Sequence, residues 1–263
     1  MERRDFIKTT AIAGLALSIP GCYKQHKTHI LTLSWDDGFR KSFHKIADIH
    51  ERYGLKACLN IIASAHMWKG GPNEYHNDPV GDFNDWNILK SRGHEIMPHS
   101  WKHTNLTEVS IDEAKELIDK CITYFIENLD GFDPSTAVYN FAYNASSNEL
   151  EDYALSKVRA VRTGGWDILG DKPANPFPVN GRPLKLGCWS YGPENADLWV
   201  QSEIDRFLGS PEGGWLVLNL HGLDNEGWGP VSSDFLDGLL NKLVSIEFLD
   251  LLPAAETLKN YAF

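Results

Sequence analysis

The stretch LTLSWDDGF, Leu31 to Phe39, sets two carboxylates side by side, Asp36 and Asp37, directly after an apolar run. Further along, HSWKH places His99 and His103 four residues apart, and LVLNLHG carries His221 next to its end. Carboxylates and imidazoles are side chains that hold divalent ions and move protons near neutral pH. A four-residue spacing brings two imidazoles onto one helical face or around one turn, where they can share an ion. Each feature alone has a simpler reading. Asp-Gly is a common turn that also caps a helix, and isolated histidines often serve structure. What singles these three clusters out is that each follows directly on a strand-like apolar run.

The elements that must position them alternate. Strand-like apolar runs predict strands over residues 29–34, 56–62, 94–97, 137–142, 158–162, 184–189, 215–220 and 246–251. Helical periodicity predicts helices over 39–53, 86–91, 111–129, 149–157, 196–207, 234–244 and 254–261, the third opened by a capping-box pair, Ser110 and Glu113. The Gly-, Asn- and Pro-rich stretch 69–82 and the irregular segment 164–187 read as surface loops. Alternation of this kind over this length predicts an α/β fold whose predominantly parallel sheet is closed, or nearly closed, into a (β/α) barrel. In such barrels chemistry sits at the C-terminal ends of the strands, so all three clusters should meet at one mouth.

The motifs resemble those of the polysaccharide deacetylase family, carbohydrate esterase family 4, over roughly residues 29–252. SWDDGF resembles its first motif, GHEIMPHSWKH its second and LVLNLHG its last, in matching order and separation. The resemblance implies an incomplete or distorted (β/α) barrel, with Asp36 as catalytic base, Asp37, His99 and His103 as metal ligands, and His221 as general acid. It further implies a divalent metal, zinc foremost, with cobalt, nickel or manganese as alternatives, and an acetylated glycan as substrate, through an N- or O-acetyl group. The third motif departs from the family: NFAYNASSNELEDYA has no arginine, and Asn144, Ala145 and Ser146 stand where Pro, Tyr and Gly are expected. The backbone N–H of Ala145, or of Tyr143 in an alternative alignment, takes the place of the oxyanion donor. Arg162, in AVRTGG at the end of a predicted strand, is a candidate to supply the missing positive charge beside Asp36. Trp228, in HGLDNEGWGP, offers a platform for a sugar ring, with a packing role as the alternative. The eroded third motif keeps a second function in view, that of a degenerate barrel that binds glycan without turnover.

The rest of the sequence bounds these readings. Residues 1–21 resemble a twin-arginine export signal: Arg3-Arg4, then an apolar stretch from Ala11 to Ile19 closing on IPGC, which resembles a lipobox with Cys22 as the lipidated residue. Residues 22–28 then form a short linker and 29–263 the catalytic domain. The expected location is the periplasmic or cell-surface side of a bacterial membrane, held through the N-terminal lipid. A formal net charge of −11 among 263 residues gives no cationic counter-surface for nucleic acid. Cys58, Cys121 and Cys188 are far apart without a C-x-x-C pair. Neither a redox motif nor a cysteine zinc site is signalled, and Cys58 and Cys121 read as small core residues.

Overall fold

The computed structural model describes residues 27–68 and 79–262. The expected export signal, Cys22, most of the expected linker and residues 69–78 of the expected loop 69–82 lie outside the described residues. Eight parallel strands form the sheet: β1 (His29–Trp35), β2 (Cys58–Ile61), β3 (Glu95–Pro98), β4 (Val138–Asn140), β5 (Ala160–Gly164), β6 (Lys185–Ser190), β7 (Gly214–Leu220) and β8 (Leu249–Leu251). Their order is β3-β2-β1-β7-β6-β5-β4, with β8 added to β1. β1 pairs along its whole length with β7. On its other edge, residues 29–31 meet β8 and residues 34–35 meet β2. β1 is therefore paired on both edges, which explains a run buried at every position.

The sheet curls until β3 and β4 face each other, and side chains stitch the seam. Val138 donates its backbone N–H to the Met97 sulfur at 3.4 Å, and the Asn140 amide donates to the Pro98 carbonyl at 3.2 Å. The result is a nearly closed, distorted α/β barrel.

Period-two alternation decides what the barrel contains. Leu31, Leu33 and Trp35 face outward into the main core with the helices, whereas Ile30, Val138, Ala160, Leu186, Trp215 and Val217 form a second, interior cluster. Ala254 and Leu258 of α8 (Ala254–Asn260) close the lower end of that interior. Toward the strands' C-terminal ends the same inward parity brings Ser34, Asn60, Asn140, Arg162 and Asn219, all buried. The barrel is thus apolar at its base and polar at its mouth.

Except for Gly165–Leu169, which no predicted period covers, the outer helices follow the predicted periodicity. They are α1 (Arg40–Arg52), α2 (Phe83–Ser91), α3 (Ile111–Asn128), α4 (Asn148–Leu155), α5 (Gly165–Leu169), α6 (Asp197–Leu208) and α7 (Ser233–Leu243). α3 buries Ala114, Leu117, Ile118, Cys121, Ile122 and Phe125 on one face, and the Ser110 hydroxyl accepts from the Glu113 N–H at its start. No helix among the described residues is long and apolar enough to cross a membrane.

Segment 164–187 corrects the surface-loop expectation. Its first residues form α5, and Asn175 is buried as an extra rung beside β7. Backbone N–H groups and carbonyls are exchanged between Asn175 and Trp215 at 2.9 Å each way. The Asn175 amide adds bonds to the Gly187 carbonyl (2.9 Å) and the Trp215 carbonyl (3.1 Å), and its oxygen accepts from the Gly187 N–H (2.9 Å). Without regular periodicity, this irregular strand-edge cover has no signature in the sequence.

Candidate active site

Adjacent residues of a strand point to opposite faces, so Asp36 and Asp37 could not share a site if β1 simply continued. It ends at Trp35, and Asp37 adopts a left-handed backbone, φ 82°, followed by Gly38 at φ 87°. Asp tolerates this conformation better than most residues, and its cost is the kind of local strain kept at functional sites. The turn brings both carboxylates to His99: its Nε2 lies 3.5 Å from Asp36 Oδ2 and 3.4 Å from Asp37 Oδ1.

His99 follows β3 immediately, and the four-residue spacing to His103 spans a turn, not a helix. Ser100 and His103 have φ of 66° and 53°, and the Ser100 hydroxyl accepts the His103 N–H at 2.9 Å. His103 Nε2 then also lies 3.4 Å from Asp37 Oδ1. Asp37, His99 and His103 offer ligand atoms all within 4.8 Å of one another. His99 Nδ1 is 3.0 Å from the Asn140 carbonyl, which can only accept, so the proton sits on Nδ1 and Nε2 presents its lone pair to the cluster.

Asp36 is held differently. Its Oδ2 accepts from Arg162 Nη2 and from the Asn219 amide, and its Oδ1 from the Asn60 amide, each at 2.7 Å. All four residues are buried. The Asn60 oxygen accepts from Asn140 at 3.0 Å, so three strand asparagines and one arginine fix a single carboxylate. Burial opposes the charge on Asp36, but Arg162 foremost, then His99 and His221, hold its carboxyl below the usual range. Burial likewise opposes Asp37, and His103, His99 and His221 outweigh it.

His103 is pushed down to about 4 by burial, against the pull of Asp37, and His221 is lowered for the same leading reason. Neutral imidazoles and an ionised carboxylate are the protonation states a divalent cation needs. Asp37 Oδ1 is buried without a hydrogen-bond partner, and so is His103 Nδ1. An orphaned carboxylate oxygen between two imidazole nitrogens is costly unless a cation occupies the space, so these residues fit a metal.

His221, just past β7, completes the mouth. It is close enough to Asp37 and Asp36 for both to act on its charge, its Nδ1 is buried without a partner, and its ring packs edge-on against Trp228 at 5.4 Å. Trp228 is half-buried and lies so close to Gly192 that a Cβ there would come within 2.6 Å of the indole. Tyr143 is exposed, with φ 58°, and its ring centroid stands 4.5 Å from that of His103. The Ala145 N–H donates to the Ala142 carbonyl at 3.2 Å, within its own turn.

Arg162 meets Asp36 as a buried ion pair. Asn60, Asn140 and Asn219 are the residues that motif reading passes over. Each is a lone amide at an inward position of an apolar strand, in ACLNII, VYNFA and LVLNLHG, and that pattern is the signal for them.

A nearly closed parallel barrel with an Asp-His-His cluster at its strand ends defines a class: α/β barrel proteins with a candidate divalent-cation site at the mouth. The sequence model described as polysaccharide deacetylase matches residues 23–157, and the chain belongs to that family. A comparison with curated proteins finds no match. Among solved structures, a peptidoglycan deacetylase from Bacillus subtilis is similar at 20% identity, covering 90% of this chain and 93% of that one with a TM-score of 0.53. A family 4 acetyl xylan esterase from Clostridium thermocellum, in complex with a cobalt ion, is similar at 15% identity, with 88% and 91% covered and a TM-score of 0.55. A family 4 pseudoenzyme from Bacillus anthracis is similar at 13% identity, with 88% and 66% covered and a TM-score of 0.54. At these identities the likeness is one of fold.

Proposed function

We propose that this chain is a metal-dependent hydrolase that removes acetyl groups from an N- or O-acetylated carbohydrate. The observation that carries the reading is the orphaned Asp37 oxygen set between His99 and His103, with a separately held carboxylate, Asp36, directly beside it. Asp37, His99 and His103 would hold the cation, with zinc the first expectation. Bound there, it would polarise an acetyl carbonyl and acidify a water.

Asp36 stays ionised through Arg162, and its Oδ1, which accepts one hydrogen bond against two at Oδ2, has room to take a proton from the attacking water. His221, just past β7, would enter the step protonated and hand that proton to the departing amine or alcohol, and the proton that Asp36 takes from the water would balance it when the site resets. The two adjacent aspartates therefore divide the work between anchoring charge and moving a proton.

The test is acetate release from N-acetylglucosamine polymers, peptidoglycan and acetyl-xylan, with and without added zinc or cobalt. Metal-dependent release from at least one of them is expected, and none from all three overturns the reading. A second reading, glycan binding without turnover, is favoured by one observation, the commitment of the Ala145 N–H to Ala142. Binding of these polymers with no acetate released would establish it.

We further propose export and lipid attachment at Cys22, supported by Arg3-Arg4, the apolar stretch and IPGC. Cys22→Ser should move the protein from the membrane fraction to the soluble one. Unchanged membrane association would exclude the lipid anchor.

A further inference from the structure

Outside the barrel, between the five-residue α5 and α6, lies a cavity of about 370 Å3 that the candidate mechanism does not use. Its walls are Trp166, Trp189 and Trp199, and its edge carries Ser190, Glu203 and Arg206. Trp189 is locked: its indole N–H donates to the Pro173 carbonyl at 3.0 Å, and Gly165 sits so close that a Cβ there would come within 3.0 Å of the ring. Trp166 stands edge-on to it, with centroids 5.2 Å apart, and is 73% exposed. Trp199 is stacked with Tyr191 at 5.8 Å and 17°.

One exposed indole, Trp166, beside two half-buried ones around a single hollow makes an aromatic surface that is rare where nothing binds. The chemistry selects the ligand. Fixed aromatic rings suit the apolar C–H faces of a pyranose, and a hydroxyl, a carboxylate and a guanidinium at the edge suit its hydroxyl groups. The charges that line the groove cancel, Asp171 and Glu203 against Lys172 and Arg206, so it has no net cationic character that would select a phosphate or nucleotide.

A chain of hydrogen bonds links the edge of the groove to the mouth. The Ser190 hydroxyl accepts from the Asn144 amide at 3.3 Å, that amide donates to Asn219 at 3.0 Å, and Asn219 donates to Asp36 at 2.7 Å.

We propose that this groove is a sugar-binding subsite, holding a neighbouring pyranose unit of the glycan chain whose acetylated residue lies at Asp37, His99 and His103. In naming a chain rather than a single sugar it rests on the deacetylase reading above. The probes are oligosaccharides without acetyl groups, which bind without turnover: β-1,4-linked glucosamine and xylose tetramers, each against its monomer, titrated calorimetrically into the full chain in zinc buffer.

At least one tetramer should bind about tenfold or more tighter than its monomer, equivalent to ~1.4 kcal/mol. Trp166→Ala should abolish that gain and Trp166→Phe should keep most of it. Leu198→Ala, 87% exposed on α6 outside the groove, should leave it intact. Because Trp166 is so exposed, its truncation should not unfold the protein, and an unchanged circular dichroism spectrum checks this.

Equal affinity for tetramers and monomers overturns the proposal, as does a gain that survives Trp166→Ala. A dimer lost in Trp166→Ala, with no glycan bound, overturns it too and assigns the groove to a second copy of the chain. The two readings fail separately. Trp166-dependent tetramer binding without acetate release leaves the subsite and removes the deacetylase, whereas acetate release with Trp166-independent binding does the reverse.

Discussion

At the scale of single residues, the mouth separates two carboxylates that differ by one position in sequence. Asp36 accepts three hydrogen bonds and pairs with a buried arginine, whereas Asp37 leaves one oxygen unpartnered beside two imidazoles. Their substitutions should therefore diverge. Asp36→Asn keeps the shape but removes the proton acceptor and leaves Arg162 a buried, unpaired cation. Acetate release should fall about a hundredfold or more while zinc still binds, and urea unfolding should show a loss of about 3 kcal/mol. Asp37→Asn removes an anionic ligand, so zinc affinity measured by calorimetry should fall while stability without metal changes little. If Asp36→Asn loses the metal and Asp37→Asn retains it, the two roles are reversed.

At the scale of elements, five strands, β1, β2, β4, β5 and β7, deliver a polar residue at the mouth by parity, and the helices keep the strands in place. Asn175 is the joint where no regular element does this work, spanning β6 and β7 with three side-chain hydrogen bonds. Asn175→Ala leaves the buried N–H and carbonyl of Gly187 short of partners, while the Trp215 carbonyl keeps the backbone N–H of residue 175, and equilibrium unfolding should register a loss of about 3 kcal/mol. A loss under 1 kcal/mol would show that water replaces the amide.

α1 contributes a pH dependence. His50 is buried with Nδ1 bonded to the Ile46 carbonyl at 2.8 Å, and burial lowers it from 6.5 to about 4. Between those values the unfolded chain binds a proton that the folded one refuses. The stabilisation is whole above pH 6.5 and is lost as pH falls toward 4, by about 3 kcal/mol. His50→Leu should flatten the decline measured by urea unfolding at pH 7 and pH 4. Parallel curves for the two proteins would locate the acid sensitivity elsewhere.

At the scale of the whole molecule, the candidate metal cluster lies at the mouth, apart from both apolar clusters that hold the fold. Chelation should therefore leave the far-ultraviolet dichroism unchanged and abolish acetate release. Zinc at about a hundredfold excess over its dissociation constant should add about 2.7 kcal/mol by mass action, raising the melting temperature by roughly 5–10 °C. Asp37→Asn should show little of that rise. An equal rise in the variant would place the bound zinc at another site.

Much of this protein was written locally. Alternating strand and helix periods with strand-end Asp and His clusters specify a parallel α/β barrel and its working face, because period and strand polarity are properties of short segments. The motifs SWDDGF and HSWKH carry the resemblance in the same way. Tertiary structure alone decided the rest. The left-handed backbone at Asp37 turns two neighbouring carboxylates to one point, and inward parity converges Asn60, Asn140, Arg162 and Asn219 from four strands. An irregular segment becomes a buried rung through Asn175, and Trp166, Trp189 and Trp199 meet from three separate elements around one groove. Convergence of this kind depends on how strands curl and which elements become neighbours, and no local period encodes it.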